Sequence, residues 1–397
     1  MTRLLFLLPV LLLMATTEAA SSKREMDAQS KAAIDRAVAA AIELKMTPGA
    51  VVVAGRADGI VFEKAYGTTT YEADARPITL DTVFDLASLS KVVGGETSVM
   101  ALVDEGKISV TDPVSKYIEG MRVADKKDIT IEQLLLHRGG FVPDNPMKDF
   151  SDGRDAAMKK IYAAKLKYEP GTNFEYSDNS FIVLGELVRQ VAGEPLDQFA
   201  KQKIFAPLKM TSTTYNPPKE WKDRFAPTEK RDGKWISGEV HDPRSHAMGG
   251  VAGHAGVFST GGDVARFCRM IINRGELDGV RVLKESTVAE MLKSRCITDP
   301  KDAKKQYCRG YGFDVDTGYS AGPRGERFEK GTTVGHTGYT GTSFWLDPNN
   351  DAFVVLLTNR VHPDDDADIK MLRKRIATIV AEALLGPRDV KKTGPTE

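Results

Sequence analysis

Several things are scarce or missing from this sequence, and each absence narrows what the chain can be. Cysteine is scarce: 3 in 397 residues, a small and odd number that cannot staple a disulfide scaffold. Excess charge is missing, because 55 Lys+Arg stand against 55 Asp+Glu with no basic stripe, and that removes the electrostatic footprint of a nucleic-acid binder. No apolar run reaches the roughly 20 residues that cross a bilayer, so a multi-span membrane protein is excluded. Internal repeats and low-complexity tracts are absent as well, which sets aside solenoids and disordered chains. What is present, 41% apolar and 28% charged residues, is a core-forming chain long enough for two or three domains. Small-molecule chemistry is the leading expectation.

The first residues read as an export signal. Arg3 precedes an uncharged apolar stretch from Leu4 to Ala15, and Thr17-Glu18-Ala19-Ala20 offers small residues for cleavage. A run of about 12 residues is too short to span a bilayer. Residues 1–20 are therefore expected to be a secretory signal peptide, the mature chain periplasmic or secreted, with no stable membrane anchor after signal removal. No cysteine near the cleavage point suggests a lipoprotein. Cys296 and Cys308 could bridge one surface loop, while Cys268, inside an amphipathic run, reads as a buried thiol and not as a nucleophile.

Hydrophobic spacing supplies the elements. Ile34, Val38, Ala41 and Ile42 place an amphipathic helix over 27–45, ending before Thr47-Pro48-Gly49. Two strands follow over 49–55 and 60–66, joined by the turn Ala57-Asp58-Gly59. Near the other end, strands over 342–346 and 352–358 precede a helix over 366–385 that stops at Gly386-Pro387. Helical signals fill the middle, over 88–105, 131–137, 179–191, 196–202 and 263–273, and the stretch 216–248 reads as a long ordered loop. Strands at both ends around a helical middle predict one discontinuous α/β domain, 21–80 with 250–390, and an inserted, mostly helical domain over 81–249.

Three constellations carry chemistry. In Ser88-Leu-Ser-Lys91, a helix starting at the serine sets the lysine one turn later on the same face, where its nitrogen reaches the hydroxyl. A serine hydroxyl is a poor nucleophile at neutral pH, and a lysine desolvated among Val92, Val93 and Phe84 is expected to have its pKa drawn down towards accepting the proton. The helix N-terminus adds positive partial charge where an oxyanion would form. The second constellation, Tyr176-Ser177-Asp178-Asn179 ahead of an apolar helix, offers a phenol to shuttle a proton and a polar side chain to hold the lysine or a substrate amide. Ser177 or Asp178 as a simple helix cap is its plain alternative. The third, Gly335-His336-Thr337-Gly338-Tyr339, lets backbone approach a ligand closely, with His336 and Thr337 able to bind a carboxylate and the Tyr339 N–H able to donate to an oxyanion.

Ser-x-x-Lys, Tyr-x-Asp and His-Thr-Gly in this order resemble the serine β-lactamase and penicillin-recognising DD-peptidase superfamily, in its class C-like branch. Gln133-Leu-Leu-Leu-His137-Arg-Gly-Gly-Phe141, Ile204-Phe-Ala-Pro-Leu-Lys-Met210, the Gly-rich stretch from Gly249 to Gly256, and Leu357-Thr-Asn-Arg360 extend the resemblance over nearly the whole mature chain. It implies an antiparallel sheet flanked by N- and C-terminal helices beside a mostly helical domain. It further implies an acyl-enzyme on Ser88, Lys91 as proton partner, Tyr176 as proton relay, and an oxyanion hole from the N–H groups of Ser88 and Tyr339. Asp178, His336, Thr337 and Gly338 would bind substrate. No cofactor is implied, and the partners are a small molecule or a peptidoglycan-derived peptide. The expected activity is DD-carboxypeptidase-like or esterase, with at most weak β-lactamase action.

Two departures stand out. Position 178 is Asp where Asn is commoner, and it could pair with Lys91. His336 replaces the lysine usual in β-lactamases; its imidazole is expected to face a solvated cleft and to titrate near its ordinary pKa of about 6.5. Ser177-Asp178-Asn179 is also a literal Ser-Asp-Asn, so the tyrosine register competes with a serine one. A metal-dependent hydrolase using His241, His246 and His254 is a further reading, although no His-x-His or His-Glu-x-x-His spacing appears. A non-catalytic peptidoglycan-binding module is another, opposed by the intact Ser88, Lys91 and Tyr176.

Overall fold

The computed structural model describes residues 25–320 and 322–386; the expected signal peptide lies outside them. Asp27 starts the first helix, α1 (Ala28–Glu43), by accepting the Ser30 N–H on its side chain at 2.7 Å. The hairpin β1 (Gly49–Arg56) and β2 (Gly59–Gly67) comes next. Six more strands arrive late in the chain: β3 (Arg295–Asp299), β4 (Asp302–Arg309), β5 (Asp314–Asp316), β6 (Val334–Thr337), β7 (Ser343–Asp347) and β8 (Ala352–Thr358). They form one antiparallel sheet in the order β3-β4-β5-β6-β7-β8-β1-β2, so the last strand pairs with the first, Ala50 opposite Thr358.

The period-2 geometry of a strand gives this sheet two buried faces. Ala50, Val52, Ala54, Trp345, Val354 and Leu356 pack under α1 and the C-terminal helix, against Ile34, Val38, Ile376 and Val380. Val51, Val53, Phe344, Val355 and Leu357 face the other way, into a core continuous with the helices of the middle segment. Burial on both faces explains why β1 and β8 read as unbroken apolar runs. The residues 28–43 and 370–385 cover one side of the sheet and helix Gly261–Ile272 the other, with Cys268 fully buried in it. Cys296 and Cys308 sit opposite each other on β3 and β4 and are joined by a disulfide. Among the described residues no helix is long and apolar enough to cross a membrane.

Three expected helices differ from the chain as folded, the one over 196–202 being α-helical only over Leu196–Ala200 and continuing as a π-helical turn over Lys201–Phe205. The C-terminal one begins at Lys370, four residues late, because the Asp368 side chain accepts the Lys370 N–H at 2.8 Å and the aspartates before it shape a loop. The stretch 88–105 is three pieces: a 3₁₀ turn (Ala87–Leu89), a wide π-helical turn (Lys91–Glu96), and the α-helix proper (Thr97–Asp104). Thr97 and Ser98 hydroxyls donate to the carbonyls of Val92 and Gly94 at 2.7 and 2.6 Å, satisfying groups that the wide turn leaves loose. The stretch 216–248 is ordered and holds a two-strand hairpin at Lys230–Arg231 and Lys234–Trp235 and a short helix, Pro243–Ala247.

Candidate active site

Ser88 stands on a tied-down turn. Ala87 before it has φ +47, a left-handed conformation that costs a non-glycine residue on the order of 1–3 kcal/mol and persists only where surroundings enforce it. The enforcement is visible. Asp85 accepts the Ala87 N–H at 2.8 Å on one oxygen and the His241 N–H at 2.6 Å on the other. The Thr340 and Thr342 hydroxyls donate to the carbonyls of Asp85 and Leu86 at 2.7 and 2.9 Å. These bonds draw the segment after β6 against the serine turn. Gly338 allows the approach, since a Cβ there would sit 2.5 Å from the Leu86 carbonyl oxygen. Thr337, Gly338 and Tyr339 thus run alongside Ser88, and Tyr339 itself is half exposed, stacked on His241 at 5.6 Å.

Lys91 is fully buried beneath the serine. Its ammonium donates to Ser88 Oγ at 3.0 Å and to the His254 carbonyl at 3.1 Å, and lies 2.6 Å from Asp178 Oδ1. Gly253 brings that carbonyl in: a Cβ there would lie 2.0 Å from the Phe181 carbonyl oxygen, so no larger residue fits against the helix Asp178–Ala192. The sequence led us to expect a lysine with a lowered pKa, and the structure reverses this. Burial does work against the charge, but the Asp178 carboxylate and the Tyr176 oxygen outweigh it and hold the ammonium above its usual range.

Tyr176 lies over the lysine, its ring centroid 5.0 Å from Nζ. Below it the His137 ring is stacked at 4.5 Å, and Tyr319 and His336 lie 5.4 and 6.0 Å away. His137 accepts the Ser177 N–H on Nδ1 at 2.9 Å, which ties the tyrosine's neighbour to the ring beneath it. The Ser177 hydroxyl is spent on the fold, donating to the Val142 carbonyl at 2.8 Å and accepting the Ser180 N–H as helix cap. The competing serine therefore holds backbone, while Tyr176 faces the lysine.

His336 differs from expectation. It borders the cleft with Ser88 and Tyr176 but is only 4% exposed, and burial, then the Arg309 and Lys91 charges, push its pKa well below the ordinary imidazole value. Its Nδ1 lies 2.8 Å from the Thr337 carbonyl oxygen. His137 is discharged for the same reasons: burial first, then Arg309 and Lys91.

The histidines considered for a metal do not assemble as a group. His246 is exposed beside Glu239 at 3.9 Å, and His241 pairs with Glu229 at 2.9 Å. His254 instead lies 2.9 Å from Asp242 and joins Asp178, the three ligand atoms falling within 4.8 Å of one another. The Lys91 ammonium already neutralises Asp178 there. Burial pushes the Asp242 carboxyl up, but His254, the Ser245 N–H and Lys91 together hold it well below the carboxylate range. Sequence reasoning missed this Asp242–His254 pairing and missed Arg309, which is 1% exposed yet lines the cleft with Ser88 and Tyr176. Neither sits in a pattern whose spacing announces it.

A serine in contact with a cationic lysine, a tyrosine above that lysine, and an extended backbone beside the serine together form a site for acyl transfer. Comparison with known proteins agrees. Residues 34–378 match the Beta-lactamase family model. A protein of Escherichia coli O157:H7, provisionally named D-alanyl-D-alanine carboxypeptidase, is 31% identical over 383 residues, covering 87% of this chain and 86% of its own. The N-acetylmuramyl-L-alanine amidase of Bacillus subtilis is 31% identical over 350 residues, covering 79% and 78%. Among solved structures, a family VIII carboxylesterase superposes with a TM-score of 0.69 at 22% identity, over 91% of this chain and 98% of its own.

Proposed function

This chain belongs to the Beta-lactamase family and is a serine hydrolase; from that premise we propose that it is exported and cleaves a D-amino-acid peptide of the cell wall, in the manner of a DD-carboxypeptidase. The observation that carries the reading is the contact of Lys91 with both Ser88 and Asp178. An ammonium that already holds its protons cannot accept another, so Lys91 fixes and polarises the Ser88 oxygen. The serine proton is taken up only as Lys91 gives one of its own, through the Tyr176 hydroxyl, to the leaving nitrogen, so the charge of the lysine is unchanged by the step. The Ser88 and Tyr339 N–H groups are the proposed donors to the oxyanion, and Asp178, Thr337 and Gly338 the proposed substrate contacts.

The relatives named for D-alanyl-D-alanine carboxypeptidase and for a muramyl amidase support a peptidoglycan-derived substrate, and the apolar segment after Arg3 supports export. A neutral His336 gives a β-lactam carboxylate no cation at that position, which supports at most weak β-lactamase activity. The same neutrality favours a small ester as the second reading, since an ester brings no charge to be met.

Intact-mass analysis after treatment with a fluorescent penicillin and with a fluorophosphonate tests the nucleophile. We expect one adduct, on the peptide containing Ser88. Hydrolysis of an acetylated lysyl-D-alanyl-D-alanine peptide and of a nitrophenyl ester, run in parallel, ranks the two substrate classes. Labelling that survives Ser88→Ala overturns the reading.

A further inference from the structure

From Arg295 to Arg309 the chain forms a hairpin that joins the sheet at its base alone. Strand β4 pairs with β5 at Cys308, opposite Asp316, and at Arg309, opposite Asp314, while β3 is the outer strand of the sheet. From Tyr307 outward, among the described residues, β4 therefore has β3 as its only partner strand. The Cys296–Cys308 disulfide crosses the hairpin where it leaves the sheet. No residue from Arg295 to Tyr307 is buried, so opening the hairpin leaves both cores intact.

The two residues that flank Cys308 both reach the tyrosine of the site. Two apart on a strand, Tyr307 and Arg309 share the face that Cys308 does not. The Tyr307 ring is stacked on Phe174 at 4.9 Å, Phe174 meets His137 edge-on at 6.1 Å, and His137 is stacked against Tyr176 at 4.5 Å. Arg309 spans the same wall, its guanidinium carbon 5.9 Å from the Phe174 centroid and 6.0 Å from that of Tyr176, at the outer limit of a cation–π contact. Such contacts are non-covalent, so they fix the inner ring only as firmly as the outer one is held. Besides the stack, Tyr307 has a hydrogen bond from its hydroxyl to Asp299 at 2.9 Å, on the turn side of the same hairpin. Its place depends on the two strands staying together.

We propose, resting on the reading of Tyr176 as proton relay, that the Cys296–Cys308 disulfide and Tyr307 are positioning groups for Tyr176, and that reduction of the disulfide by a small dithiol slows acylation while the enzyme stays folded. The bond keeps the hairpin closed. The closed hairpin keeps Tyr307 on Phe174 and Arg309 across Phe174 and Tyr176, and these contacts hold the phenol over Lys91. Cys296 is exposed and Cys308 is 7% exposed, so a thiolate of the reductant attacks the Cys296 sulfur and Cys308 leaves as a thiolate that takes up a proton. The second thiol of the reductant then closes its own disulfide and releases Cys296 as a thiol. The reductant gives up two electrons and two protons, and the protein disulfide takes them. Cys268, free and buried, plays no part.

The test compares oxidised enzyme with enzyme treated with dithiothreitol, alkylation and intact mass confirming that the Cys296 and Cys308 thiols have formed. In single-turnover acylation by a nitrophenyl ester, reduction is expected to lower the rate constant roughly tenfold, to change the half-saturating concentration by less than about twofold, and to leave the circular dichroism unchanged. Reoxidation restores the rate. The double variant Cys296→Ser/Cys308→Ser should have the reduced rate and ignore dithiothreitol, and Tyr307→Ala should reproduce the loss with the disulfide intact. Because the effect runs through the phenol, reduction of Tyr176→Phe should change its residual rate by less than about twofold. A folded, reduced enzyme with the oxidised rate, a Tyr307→Ala enzyme with the wild-type rate, or a loss on reduction that is as large in Tyr176→Phe overturns the inference. Unfolding on reduction overturns it too, since the bond would then hold the fold and not the site. Wild-type acylation by oxidised Tyr176→Phe strikes instead at the reading beneath it.

Discussion

On one side of Ser88, Lys91 is buried completely and keeps its proton; on the other, His137 and His336 are buried as deeply and lose theirs. Desolvation lowers the pKa of all three bases. The outcome turns on the neighbour. Lys91 has a carboxylate at 2.6 Å, whereas the two imidazoles sit in the field of Arg309 and of Lys91 itself. Like charges on the acidic wall behave correspondingly: burial and then Asp178 push the Asp144 carboxyl up, while Asp242, facing His254, stays ionised. One wall stores a cation and the other is kept neutral beside an arginine, so the site can meet a reacting oxygen and a charged substrate tail with separate groups.

The largest effect expected from disturbing this arrangement is at the stored cation. Lys91→Met should lower acylation by a nitrophenyl ester by roughly three orders of magnitude or more. Adding Asp178→Asn to it should recover the melting temperature lost with the first change, by removing the unpaired carboxylate, but not the rate. Acylation and thermal unfolding of the single and double variants check this. Recovery of rate in the double variant would assign the loss to the unpaired Asp178 carboxylate and not to the missing ammonium.

A smaller effect follows from Asp178→Asn alone. Losing the nearest carboxylate leaves burial to lower the Lys91 pKa, so the alkaline limb of the pH–rate profile should move to lower pH. The rate loss should be about tenfold at pH 9 and far less at pH 7. A profile from pH 6 to 10 that superposes on wild type would separate the lysine's charge from the rate.

The neutral wall yields an acid-stability prediction. For His137 and His336 the folded pKa lies below the unfolded value of about 6.5, so the folded state binds fewer protons. Their contribution is present above that pH and lost as pH falls below it. The slope approaches two protons, about 2.7 kcal/mol per pH unit. Urea unfolding between pH 7.5 and 5 measures it, and His336→Asn should halve it. KM for a carboxylate substrate should stay flat from pH 7.5 to 5.5 over the range where the protein remains folded. A titration there with an apparent pKa near 6.5 would mean that His336 charges in the working enzyme.

Glu96 gives the smallest effect and a third case of the comparison. It is fully buried and its carboxylate oxygens have no hydrogen-bond partner, and burial raises its pKa well above normal although Arg309 opposes the shift. A raised carboxyl pKa means that stability falls as pH rises above the unfolded value of about 4.3. Glu96→Gln should therefore raise the melting temperature at pH 8 by a few degrees and change it little at pH 4. An equal gain at both would assign the effect to packing.

Much of this molecule can be read from residue order alone, for physical reasons. Strands β1 and β8 are buried on both faces, so their unbroken apolar runs leave no other assignment, and α1 keeps a strict helical stripe because only one face meets the sheet. The stretch after Ser88 misleads because its apolar spacing reads as one helix while Val92, Val93, Gly94 and Gly95 are weak helix formers; Gly95 lies against Gly253, where a Cβ would sit 2.6 Å from the Gly253 carbonyl oxygen. Ser88, Lys91 and Tyr176 sit in short local motifs, and the structure does bring them together. The charge states are not legible: the pKa of Lys91 depends on a carboxylate 87 positions away, and that of His336 on a guanidinium from another strand. Arg309 has no local signature, and His254 suggested a metal ligand because its partner Asp242, twelve residues earlier, counted as one more potential ligand.

The pairing of β1 with β8 also sets a timetable. Ala50 and Thr358 are neighbours, so at ribosomal speeds of about 5–20 residues per second the first strand waits roughly 15–60 s for the partner on its inner edge. During that interval the β1–β2 hairpin presents one open, apolar edge, the kind of surface that pairs wrongly with other chains. Closing so distant a contact is slow. The nascent chain is thus a candidate for chaperone custody until its last hundred residues appear, and truncations before Ala352 should aggregate rather than yield a smaller folded enzyme.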